Sequence, residues 1–83
     1  MNMAEQLVSK IEVEAQKYHD EYFMGFDGDY KDAAVIHQSM FVDTCEAIAV
    51  PYEVMADAED CPRSWYVQVT ATDGSTAIHP NHS

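Results

Sequence analysis

Apolar residues recur at two different periods along this chain, and the change of period falls at Pro51. From Asp29 to Val50 the positions Ala33, Ile36, Met40, Phe41, Thr44, Cys45 and Ile48 repeat at helical spacing. Val35, Val42, Ala47 and Ala49 widen that stripe, leaving Asp32, Gln38, Ser39, Asp43 and Glu46 as the solvent-facing set. A helix this apolar in a small chain needs cover on two sides, so the remaining elements are expected to organise around it. Asp29 is its candidate N-cap, and Pro51 closes it by disfavouring helical backbone in the preceding residue.

Upstream, Leu7, Ile11, Ala15, Tyr18 and Tyr22 recur every three or four residues, which predicts an amphipathic helix over about Met3–Phe23. Asn2 followed by Glu5 forms a capping-box pattern at its start. Asp20 and Glu21 stand near its end, where acids oppose the helix dipole. The segment Met24-Gly25-Phe26-Asp27-Gly28-Asp29 is a glycine-marked loop, after which the second helix is expected over about Lys31–Ala49.

Beyond Pro51 the period becomes two. Tyr52, Val54 and Ala56 alternate with Glu53, Met55 and Asp57, and Trp65, Val67, Val69 and Ala71 alternate with Tyr66, Gln68, Thr70 and Thr72. Asp73-Gly74 is a type I′ turn signal, after which Ser75 to His79 returns as a last strand. The pattern predicts an α+β fold in which two N-terminal helices pack on one face of a small three-stranded antiparallel sheet. Eighty-three residues fit one domain with one core, and residues 80–83 read as a tail.

Charge changes the picture most. Fifteen acids against four Lys plus Arg give a formal net charge of −11, while the 47% apolar content is that of a globular chain. Such a surface argues against direct contact with nucleic acid phosphates and against an anionic membrane. The expected partner is a basic protein. No apolar run reaches membrane-spanning length, and the N-terminus lacks the basic and apolar regions of a signal peptide, so a cytoplasmic location is expected.

Candidate chemistry thins out on inspection. Asp27, Asp29 and Asp32 suggest a calcium loop, but its sixth position is Asp32 rather than Gly and its twelfth is Gln38 rather than Glu. Cys45, Cys61, His79 and His82 are zinc-ligand types at no compact spacing. Cys45 is expected to be a buried free thiol, and His37 a boundary residue rather than a base. No nucleophile elbow or phosphate loop is present, so no enzyme, metal or cofactor is expected. The stretch from Trp65 through Gly74 to Ile78, about a sixth of the chain, is similar in spacing to the last hairpin of the phage uracil-DNA glycosylase inhibitors. The order of elements in the N-terminal half differs, and no residue role is carried over.

The remaining reading is a binding protein. Asp20, Glu21, Asp27, Asp29 and Asp32 surround the aromatic side chains Phe26 and Tyr30, and Asp57, Glu59 and Asp60 form a second acidic stretch. Carboxylates on neighbouring helical turns lie roughly 5–6 Å apart, comparable to backbone phosphates. These ten residues are the candidate partner-binding set. They suit a monomeric or homodimeric acidic inhibitor that occupies the nucleic-acid site of a basic protein or nuclease complex, in the manner of phage anti-CRISPR and other anti-defence proteins. The alternatives are an immunity protein or antitoxin for a nuclease toxin, or an interaction domain from an acidic proteome.

Overall fold

A computed structural model describes residues 1–80; the rest of the expected tail, with His82, lies outside the described residues. The elements run α1 (Met3–Gln16), α2 (His19–Tyr22), α3 (Tyr30–Ala47), β1 (Tyr52–Ala56), β2 (Tyr66–Thr70) and β3 (Thr76–His79). The helical half therefore holds three helices, correcting the two-helix expectation. The first expected helix breaks after Gln16, where Lys17 and Tyr18 donate their amides three residues back, to Glu14 and Ala15. No Gly or Pro marks the break. It redirects the chain so that the rings of His19 and Phe23 stack at 4.4 Å and Phe23 meets His37 of α3 at 4.9 Å. Contacts distant in sequence override a continuous local periodicity here.

The three strands form an antiparallel sheet in the order β1-β2-β3. Trp65, Val67, Val69 and Ala71 are all buried, as their alternation requires. Val67 and Val69 join Val8 and Ile11 of α1 and Ala34, Phe41 and Cys45 of α3 in one core. Near β1 the sheet is irregular, with a register shift between Val54 and Ala56 that leaves Val54 and Met55 exposed on an edge strand. The β2–β3 connection differs from the expected type I′ turn, which needs positive φ at both central residues. Asp73 is not in that region, and Gly74 alone carries a φ of 87°. Gly74 N bonds to Ala71 O and Ala71 N to Ser75 O, so the loop also takes in Thr72 and has three residues, Thr72 to Gly74.

Both long helices start as expected. Asn2 and Glu5 form a reciprocal capping box, and the Asp29 carboxylate accepts the Lys31 amide. Which residues face inward is less regular. The buried spine of α1 is Ala4, Val8, Ile11 and Ala15, with Tyr18 exposed. In α3 the inward set is Ala34, Gln38, Met40, Phe41 and Cys45, so Gln38, expected on the solvent face, is only 9% exposed. Its Nε2 donates to Ala56 O and its Oε1 accepts from Ala58 N, both at 3.1 Å. Helix α3 ends before Pro51 acts. Ala49 takes a φ of 58°, with Val50 N bonded to Cys45 O and Ala49 N to Glu46 O. No helix among the described residues is long and apolar enough to cross a membrane.

Candidate functional site: two acidic grooves on opposite ends of helix α3

The ten candidate residues do not form one patch. Around the start of α3, the 24–27 loop, the first turns of the helix and the 57–60 turn line an open groove of about 580 Å³. It gathers Phe26, Asp27, Asp32 and Glu59 with Met24 and Lys31. Phe26 is 38% exposed, and its ring is held edge-on against Phe23 at 5.0 Å, which in turn stacks on His19. The anchor expected from sequence is thus partly pre-oriented by a ring stack behind it.

Several of the acids here have local duties. Asp27 Oδ1 accepts the Asp29 amide, Asp29 Oδ1 the Lys31 amide, and Asp57 Oδ1 the Glu59 amide. Turn and cap chemistry therefore accounts for one oxygen of each. Asp32 caps no backbone amide, and the charge of Asp27, then desolvation, the charge of Asp29 and a side-chain hydrogen bond with Asp27, push its carboxyl above the ordinary value of 3.8. Tyr30 is half exposed, but Arg63 already lies over its ring, with the guanidinium carbon 4.8 Å from the centroid. Asp60 is exposed beside this groove in the chain, without lining it.

Glu21 faces elsewhere. It lines a second open groove, of about 650 Å³, formed by the α1–α2 segment and the last turns of α3, with Glu14, Tyr18, Tyr22, Asp43, Thr44, Ala47 and Ile48. The Tyr22 hydroxyl donates to Asp43 Oδ2 at 2.6 Å, a bond that pushes the phenol up to about 12. Glu14, Tyr18 and Tyr22 stand four residues apart along the chain, a spacing visible in the sequence, but nothing local places Asp43 of α3 opposite them, so the groove has no short-range signature. Asp20, on α2 and fully exposed, lines neither groove, and His19 Nδ1 stands 3.4 Å from it.

Candidate chemistry stays thin in three dimensions. Cys45 is fully buried and Cys61 half-buried, and both are free; burial pushes the Cys45 thiol up to about 11. His37 is exposed rather than at the boundary, and its pKa is lowered by partial burial and by His19. Among the described residues no group of three His, Cys, Asp or Glu side chains is placed to hold a metal ion. The His79 side chain is only 19% exposed, and its ring stacks flat on Phe41 at 4.2 Å. Glu12 Oε2 lies 3.3 Å from its Nδ1 but off the hydrogen-bonding direction, so that nitrogen has no hydrogen-bond partner among the described residues. No known protein family, curated protein or solved structure matches this chain.

Proposed function

We propose that this protein is a non-enzymatic acidic inhibitor that binds a basic nucleic-acid-binding protein or nuclease complex and occupies its nucleic-acid site. The observation that carries the reading is the formal charge of −11, three of whose carboxylates, Asp27, Asp32 and Glu59, line one open groove with a partly exposed ring. Phe26, flanked by Asp27, Asp32 and Glu59, offers a desolvating anchor inside a ring of carboxylates. Carboxylates of this density steer a cationic surface and then match its Lys and Arg side chains, and the same surface repels nucleic acid itself. The mutual repulsion that raises Asp32 supports the reading, because a cationic partner relieves it on binding.

Phage anti-defence inhibitors, including anti-CRISPR proteins, are the functional class this character fits, acting in the cytoplasm of the host cell. The test is affinity capture from that cytoplasm, wild type beside an Asp32→Lys/Glu59→Lys variant. Neither of those residues caps a helix or closes a turn with its carboxylate, unlike Asp29, whose loss would also cost the start of α3. One dominant basic nucleic-acid-binding protein is expected with the wild type and little with the variant, whose melting temperature should match or exceed wild type because like charges are removed. Equal capture by both proteins would reject this surface as the contact.

A further inference from the structure

The groove at the other end of α3 differs in character from the Phe26 groove. Its lining is more apolar than polar, and it contains two large exposed apolar groups, Tyr18 at 49% and Ile48 at 37% exposure. Three carboxylates, Glu14, Glu21 and Asp43, share these walls. The lining comes from the last turn of α1, the segment after it and the last turns of α3, and neither helix has a basic residue in its last turn to offset those carboxylates. The chain's own cation nearby is Lys17, bound to Glu14 at 3.0 Å on the exposed side and not part of the lining.

A groove that combines exposed apolar walls with three carboxylates is poorly matched by a purely apolar occupant. It matches a side chain that is apolar along its stem and cationic at its tip. Arginine fits better than lysine, because its planar guanidinium stacks on an aromatic face and binds carboxylates through paired donors. The chain itself sets one guanidinium over a ring, that of Arg63 over Tyr30. The bond from Tyr22 to Asp43 holds that carboxylate on the groove wall before any ligand arrives.

We propose that the groove between the C-terminal ends of α1 and α3 seats an arginine of the basic protein partner. The stem lies along Tyr18 and Ile48, and the guanidinium sits among Glu14, Glu21 and Asp43. This rests on the proposed function for the source of the arginine, and it adds a contact at the opposite end of α3 from Phe26.

The experiment is a chemical-shift titration of the isotope-labelled protein with N-acetyl-argininamide, run beside N-acetyl-norleucinamide and methylguanidinium. Saturable shifts are expected at Tyr18, Thr44, Ala47 and Ile48, with the stem-only and charge-only compounds binding several-fold more weakly. The Glu14→Gln/Glu21→Gln/Asp43→Asn variant is expected to bind argininamide about tenfold more weakly or worse. Its melting temperature should match or exceed wild type, since it removes like charges and the new side-chain amide carbonyl can still accept from Tyr22. Tyr18→Ala, at an exposed position, should weaken binding independently of charge.

Shifts spread evenly over the acidic turns, or confined to the Phe26 groove, would overturn the assignment. Equal saturation by norleucinamide would overturn it in favour of an apolar occupant such as a second copy of the chain. The parent reading fails separately, when capture recovers no nucleic-acid-binding protein although argininamide still saturates this groove.

Discussion

Gln38 joins helix α3 to the connection after β1 through a single amide, donating to Ala56 O and accepting from Ala58 N in a buried position. A buried backbone N–H left without a partner costs far more than a normal hydrogen bond contributes. Gln38→Ala should therefore destabilise the fold by about 2–4 kcal/mol, read from the denaturant midpoint at constant slope. Ala49 is a residue-scale feature of the opposite kind, an L-residue held at φ 58° where glycine is at ease. Ala49→Gly should raise stability by about 0.5–1 kcal/mol in the same assay; a loss would show that the helix-end turn is not under strain. His79 predicts a pH effect. Burial lowers its pKa from 6.5 to about 4, so the neutral ring's contribution is intact above pH 6.5 and is lost as pH falls toward 4. Glu12, the charged group closest to the ring, is itself raised by burial, and its carboxylate softens the loss while it stays ionised. Subtracting the stability profile of His79→Phe, which keeps the stack on Phe41, should isolate a decline of up to about 3 kcal/mol across that window. A flat difference would place His79 in solvent.

At the scale of elements, what could be read from sequence was what short-range chemistry decides. The caps at Asn2 and Asp29 need only residues two or three positions away, and the β2 face needs only alternation from Trp65 to Ala71. Each strand pairs with its neighbour in sequence, although residues 57–65 make the first connection long for a hairpin. The break after Gln16 was hidden because its cause is tertiary, the ring stack from His19 through Phe23 to His37 and the bond from Tyr22 to Asp43. Gln38 was hidden because polarity alone cannot reveal a side chain whose partners belong to another element. The candidate site was half legible: Phe26, Asp27, Asp32 and Glu59 do converge, while Glu21 joins a groove whose other carboxylates come from distant turns. Phe23→Ala removes the middle ring of the stack. Amide exchange at Tyr22 and Phe23 should then speed by about tenfold or more while Val67 and Val69 keep their protection. Unchanged exchange would mean that α2 is held by its backbone alone.

Across the whole molecule, charge opposes folding. Acids crowd the 27–32 and 57–60 turns and stand at the ends of α1 and α3, whereas the core beneath is ordinary and apolar. Repulsion between exposed groups is screened over about 10 Å at 0.1 M salt, so the melting temperature should rise with added sodium chloride. A surface that costs stability in isolation gains it back against a cationic partner, and both grooves present carboxylates beside exposed rings. The direct measurement is a competition titration, in which the captured basic partner holds a fluorescent oligonucleotide and the protein is added at fixed salt. Complete displacement is expected, with an apparent affinity that weakens as nucleic acid concentration rises and weaker competition by Asp32→Lys/Glu59→Lys. A ternary complex in which the partner binds the protein and keeps its oligonucleotide at full affinity would contradict it.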